Sequence, residues 1–279
     1  MAFPAPHIVE PKAQHTHTHT IILLHGRSSN GIELAEDLFD SESSEGKTLT
    51  AHFPGCRWVF PTSRDRWSSV FKEDLTAWFD IYSLSSPCEQ QELQVDGLRE
   101  SMLYVLDILR REIDLLDGRA DRIVLGGISQ GMATGLWALL CSPGRVKGRI
   151  AGFIGMCGWL PFANEIDSLR LSGDVPTSIM PDLLLDTIAC KAQRPQASAA
   201  DTETMVSTPV LLLHGTDDVW VDVDLGRQAR GILTELGMHV DWAEYSGAEN
   251  DGHWIKEPEG YDMIVKFLRA AWSGIGENF

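Results

Sequence analysis

Short apolar runs alternate along this chain with amphipathic stretches, the rhythm of strand–helix–strand units. Thr20-Ile21-Ile22-Leu23-Leu24 is an unbroken apolar run that ends in His25-Gly26 and reads as a buried strand meeting a loop. Arg57-Trp58-Val59-Phe60, stopped by Pro61, is the next strand. From Leu98 the apolar positions Met102, Val105, Leu106, Leu109, Ile113 and Leu116 recur every three or four residues, which predicts one long helix closed by Gly118. Ile123-Val124-Leu125-Gly126-Gly127-Ile128 predicts a strand running into Ser129, and Met132–Cys141 the helix after it. Strands over 150–156, 210–215 and 240–245 and helices over 225–236 and 261–272 complete the series. Apolar strands without polar alternation, separated by helices, predict an α/β fold: a mainly parallel central sheet with helices on both faces.

Two segments break the rhythm. Residues 62–97 mix Trp67, Trp78, Phe79 and Pro87 with polar turns, as active-site loops do. Residues 164–206 begin with a helical pattern and finish rich in Ala, Ser, Gln, Asp and Thr, which reads as a lid-like insertion with a mobile later part. The two Leu-Leu-His-Gly strings, at 23–26 and 212–215, are strand ends and not a repeat. With 279 residues, 43% of them hydrophobic, the chain suffices for one large core and is short for two. Residues 1–279 are therefore read as one domain.

Charge narrows the partners. Forty acidic against 23 basic residues leave a net charge of −17, which repels phosphate backbones and anionic lipid surfaces. Five scattered cysteines, odd in number and without CxxC spacing, argue against a disulfide framework or a zinc knuckle and fit a reducing compartment. The opening Met1-Ala2-Phe3-Pro4-Ala5-Pro6 lacks the basic flank and apolar run of a secretory signal. No stretch approaches the ~18 consecutive apolar residues of a membrane span. A cytoplasmic protein without stable membrane insertion is expected.

Candidate chemistry centres on Gly127-Ile128-Ser129-Gln130-Gly131, a G-x-S-x-G string. The string alone is weak. Its context is what a nucleophile elbow requires: an apolar strand before the serine, a helix after it, and small residues where the two backbones meet. A serine hydroxyl needs a base, and downstream the chain offers His214, His239 and His253. His214 ends an apolar strand, as hydrogen-bonded structural histidines do, and His239 opens one. His253 lies in a Gly- and Asp-containing loop between the last strand and the closing helix, where a base reaches back over an elbow. The orienting acid is expected on the loop after the preceding strand, where Asp217 and Asp218 are neighbours that spacing does not separate.

At this point the chain resembles the acyl-protein thioesterase/lysophospholipase branch of the α/β-hydrolases, the phospholipase/carboxylesterase family. The residues that carry the resemblance are Leu24-His25-Gly26, Trp78-Phe79-Asp80-Ile81, Leu125 through Gly131, Cys157-Gly158-Trp159-Leu160-Pro161 and His214-Gly215-Thr216-Asp217-Asp218. The resemblance implies that Asp218 is the orienting carboxylate and that the backbone N–H groups of Arg27 and Gln130 form the oxyanion hole. It implies a serine hydrolase of esters or thioesters working through an acyl-enzyme, with no metal and no organic cofactor. The chain departs from the family at Arg27-Ser28-Ser29-Asn30-Gly31, at Met132, at Val219-Trp220 and at Trp254. Trp78, Trp220 and Trp254 are expected to give the substrate pocket a flatter, more aromatic wall, unless they only pack.

Alternatives share the triad: a small-ester carboxylesterase, or an acyltransferase in which an alcohol or amine intercepts the acyl-enzyme. A ligand receptor on a retired hydrolase scaffold is disfavoured because all three triad positions are filled. His15, His17 and His19 alternate as if on one face of a strand, and are read as a solvent-facing first strand more than as zinc ligands. The Arg27 side chain is either a solvated loop arginine or an attractor for a substrate carboxylate.

Overall fold

A computed structural model describes residues 2–171 and 198–273. Its centre is a seven-stranded sheet of β1 (His7–Val9), β2 (His19–Leu24), β3 (Cys56–Phe60), β6 (Ile123–Ile128), β7 (Gly152–Met156), β8 (Val210–Gly215) and β9 (Val240–Tyr245). Their order is β1-β3-β2-β6-β7-β8-β9. β1 runs antiparallel to β3, and every other pairing is parallel. β2, β6, β7 and β8 are buried at every position, which is why they read as continuous apolar runs. β9, with a neighbour on one side only among the described residues, is only partly buried: none of its residues is fully covered, and Asp241 and Glu244 are exposed. A separate hairpin, β4 (Arg64–Trp67) with β5 (Asp74–Ala77), lies within the expected active-site loops.

Helices cover both faces. On one pack α3 (Gln94–Leu115), α4 (Gln130–Leu140) and α7 (Val223–Glu235), whose Leu106, Leu136 and Leu233 share one buried core with Ile22, Leu125 and Leu212 of the sheet. On the other lie α1 (Gly31–Asp40), α2 (Leu49–His52) and α8 (Glu259–Trp272), with Leu38 and Leu268 against Ile21 and Leu23. The helical stripe that starts at Leu98 in sequence begins four residues earlier in α3 and closes as expected.

α1 had no counterpart in the hydrophobic reading. Its signal was the cap: the Asn30 side chain accepts from the backbone N–H of Ile32 and of Glu33, and the short buried face is Leu34, Ala35 and Leu38. The histidine-rich segment is not a solvent-facing first strand. The first strand is β1, and His19 opens the wholly buried β2, its ring 4.4 Å from that of Trp272. The apolar run after it continues into the sheet centre and carries His19 in with it.

Of the lid-like insertion, α5 (Ala163–Leu171) and α6 (Ala199–Val206) are described, and 172–197 lie outside the described residues. α6 is a capped helix: Ser198 and Asp201 bond reciprocally. It buries Met205 in the core beneath α3 and α4, away from the cleft described below.

Candidate active site

Strand β6 passes directly into α4 through Ser129, whose backbone takes φ 56° and ψ −124°. A serine tolerates this left-handed conformation only where the surroundings enforce it. Here they do. A Cβ on Gly131 would stand 2.1 Å from the Leu24 carbonyl oxygen and 2.6 Å from that of His25, and one on Gly127 2.6 Å from the Gly131 carbonyl carbon. The glycines let α4 press against the end of β2, so the turn is tight and the serine protrudes. The Met132 side chain fills the space behind it, close against Gly155 and Gly158.

The loop after β2 is fixed beside the serine. A Cβ on Gly26 would lie 3.4 Å from the Ser129 Cβ and 3.9 Å from its Oγ. Fully buried His25 holds this loop. The Ser63 backbone N–H donates to Nε2 at 2.9 Å, so Nε2 accepts and Nδ1–H donates to the Gly26 carbonyl at 2.6 Å. Burial pushes its pKa down to about 4, although the Gly26 carbonyl favours the charged form, so the ring is neutral. Trp78 Nε1 donates to the His25 carbonyl at 2.8 Å. Gln130 is also fully buried. Its side chain accepts from the Trp78 N–H and donates to the Phe79 carbonyl, tying the elbow to the segment after β5.

At the far end of the sheet, the loops after β8 and β9 interlock. The two neighbouring aspartates divide the work. Asp217 accepts from the Gly247 N–H at 2.7 Å and fastens one loop to the other. Asp218 is fully covered and meets the histidine: His253 Nδ1 donates to Oδ2 at 2.7 Å. Oδ1 accepts from the N–H groups of Trp220 and Val221, each at 2.9 Å. Burial opposes the Asp218 charge, but hydrogen bonds from His214, His253 and Val221 outweigh it and hold the carboxyl far below the usual range.

His214 does more than the sequence indicated. Nε2 lies 2.9 Å from the Val221 carbonyl and 3.4 Å from Asp218 Oδ2, so it braces both the turn and the carboxylate. Its place at the end of an apolar strand, 85 residues after the serine, offered no hint of that second contact. Cys157, part of the resemblance but given no role in the site by the sequence, also lies here. Its Sγ lies with ligand atoms of Asp218 and His253 in a group spanning no more than 4.8 Å, the group of metal-ligating types found among the described residues. Burial and the Asp218 charge push the thiol up to about 12, so it keeps its proton and is a poor ligand at neutral pH.

Ser129, His253, Gly26 and Arg27 line one cleft of about 820 Å³. Leu34, Leu84, Ile128, Trp220 and Trp254 supply its apolar wall, and Asp37, Asp40, Glu249 and Glu257 its carboxylates. Trp220 and Trp254 are thus where a pocket wall needs them. Trp78 is not: it is fully buried beneath the loop, its indole N–H spent on His25, and it acts on the site by support. An aromatic in an apolar-polar mixed segment carries no sequence mark of which face it takes.

The phospholipase/carboxylesterase family model matches residues 4–181. Among curated proteins the chain is similar to acyl-protein thioesterase 1 of Neurospora crassa, 28% identical over 238 residues that cover 83% of this chain and 79% of that one. It is also 28% identical to acyl-protein thioesterase 1 of Yarrowia lipolytica, over 88% of this chain and 89% of that one. The crystal structure of Zea mays acyl-protein thioesterase 2 superposes with a TM-score of 0.65 and 26% identity, covering 96% of this chain and 99% of that chain.

Proposed function

The chain belongs to the phospholipase/carboxylesterase family of α/β-hydrolases and is a serine hydrolase of esters or thioesters; from that premise we propose that Ser129 is its nucleophile, His253 its base and Asp218 the carboxylate that orients the base. The observation that carries the assignment is the fully covered Asp218, bonded at 2.7 Å to His253 Nδ1, in a cleft that His253 shares with the elbow serine.

Catalysis then follows from the hydrogen bonds. Asp218 accepts from Nδ1–H, which leaves Nε2 as the free lone pair of the imidazole. Nε2 takes the Ser129 proton as Oγ attacks the carbonyl carbon, and returns it to the departing alcohol or thiol. The oxyanion is received by the backbone N–H of Gln130, at the start of α4, and that of Arg27, on the loop against Ser129. Such donors are worth about 3 kcal/mol each in comparable sites. Water activated by His253 then releases the acid.

For substrate, the shared apolar wall of Trp220, Trp254, Leu34, Leu84 and Ile128 supports an acyl chain of an ester, lysolipid or acylated protein. The test is twofold. A fluorophosphonate probe is expected to label the wild type on Ser129 and to leave Ser129→Ala unlabelled. p-Nitrophenyl esters of increasing chain length, beside a palmitoyl thioester, then rank the acyl chains. Steady turnover by folded Ser129→Ala refutes the nucleophile assignment. A maximum at short chains without thioester cleavage excludes the acylated-protein substrate.

A further inference from the structure

We propose that the Arg27 side chain forms an anion subsite within the catalytic cleft, so that this hydrolase prefers esters or thioesters carrying one carboxylate near the scissile carbonyl. The proposal rests on the reading of Ser129 as nucleophile.

Place comes first. Arg27 follows Gly26, whose Cβ position is 3.9 Å from the Ser129 Oγ, and it lines the same cleft as Ser129 and His253. Its guanidinium lies over the Phe71 ring at 5.0 Å, and Phe71 belongs to the turn of the β4–β5 hairpin. A ring at that distance steadies the cation without using any of its N–H donors in a hydrogen bond. The loop cannot swing freely, because the Ser28 N–H donates to the Thr76 carbonyl of β5 at 2.8 Å.

Partnership is the second observation. Among the described residues Arg27 has no ion-pair or hydrogen-bond partner, although it is half-buried. Its field partner is Asp80, which lies beyond ion-pair distance and accepts from the Ser69 N–H. Other well-covered arginines are treated differently: Arg57 meets Glu112 at 3.1 Å and Arg66 meets Glu100 at 2.9 Å. In a chain with 40 acidic residues, a desolvated guanidinium left without a carboxylate is an incomplete pair. Burying a charge is unfavourable unless a counter-charge completes it. A substrate carboxylate, matched to the guanidinium fork, is that counter-charge.

The third observation limits the charge to one. Asp37, Asp40, Glu249 and Glu257 line the same cleft, and burial together with neighbouring carboxylates, Asp40 and Glu249 among them, pushes the Asp37 carboxyl up. A second anionic group there meets repulsion. The carboxylate can belong to the acyl part or to the alcohol part, and two substrate pairs separate these sources.

For the acyl part, the p-nitrophenyl monoester of glutaric acid is compared with its methylated, neutral form. For the alcohol part, 4-butyryloxybenzoate is compared with its methyl ester. The readout is the ratio of kcat/KM for anionic over neutral substrate within each variant, so that any general loss of rate cancels. In one of the pairs the wild-type ratio is expected to exceed that of Arg27→Gln by at least about tenfold, the size of one charged hydrogen bond. Arg27→Lys should recover part of it, and Arg27→Glu should bring the ratio below that of Arg27→Gln. Equal ratios in wild type and Arg27→Gln for both pairs overturn the subsite while leaving the hydrolase intact. Absence of turnover of the neutral esters as well overturns the hydrolase reading, and the subsite with it.

Discussion

Replacing Asp218 with Asn tests the site at its most determined atom. The two carboxylate oxygens are not equivalent. Oδ1 accepts two backbone N–H groups, from Trp220 and Val221, while Oδ2 faces the ring nitrogens of His253 at 2.7 Å and His214 at 3.4 Å. An asparagine must put its carbonyl oxygen on the two amides, because its NH₂ cannot accept from them. That choice sets the NH₂ against the ring N–H of His253, donor against donor. The imidazole then turns Nδ1 into an acceptor and carries its proton on Nε2, where the base must be empty. Loss of the correct tautomer in a comparable triad lowers kcat by about 10⁴, or about 5.5 kcal/mol of barrier. His214 loses a charged partner too, at about 1–3 kcal/mol of stability, which a core of this size tolerates. The assay is kcat on p-nitrophenyl butyrate with circular dichroism to confirm folding, beside Asp217→Asn as control. Asparagine at 217 keeps an oxygen for the Gly247 N–H, so activity within a few-fold of wild type is expected there. An Asp218→Asn enzyme within tenfold of wild type, or an inactive folded Asp217→Asn, refutes the division of roles.

Two further outcomes follow from the elbow and its loop. Gly131→Ala drives a methyl into backbone at Leu24 and His25, contacts of 2.1 to 2.6 Å that only a shift of about 1 Å between α4 and the loop relieves; a misplacement of that size costs about 10²-fold in kcat, and unchanged kcat and melting temperature sink the argument. Buried His25 titrates near 4 when folded against 6.5 when free, so the unfolded chain binds the proton first. Its share of stability is complete above about pH 6.5 and is lost as pH falls toward 4, up to about 3 kcal/mol; His25→Gln should flatten denaturant-derived stability over that window, and an unchanged slope refutes it.

The parallel strands and the elbow were legible because burial on both faces leaves nothing but apolar residues, as in Ile123–Leu125 and Val210–Leu213. The elbow motif gained meaning from the same context. What pattern did not reveal depends on packing between distant segments. The choice between Asp217 and Asp218 is made by the loop that follows β9, through Gly247 and His253, some 30 residues away. The support of Trp78 and the second contact of His214 arise the same way. α1 escaped because its buried face is short, and with it went Leu34, Asp37 and Asp40 of the cleft wall. Asn30 was the visible clue.

The strand that delivers the histidine is also the sheet's open border. From Tyr245 the chain turns into the loop that carries His253, yet β9 is hydrogen-bonded only to β8 among the described residues. Such a border is a template for another chain's strand. Asp241 and Glu244 stand exposed along it, and Arg227 of α7 clasps Glu244 at 2.6 Å. Charges along an edge strand disfavour its pairing with another copy, and here they stand on the strand that leads into the loop of the base. Neutralising Asp241 and Glu244 is therefore expected to make activity fall with rising protein concentration, which an assay over a dilution series reads directly.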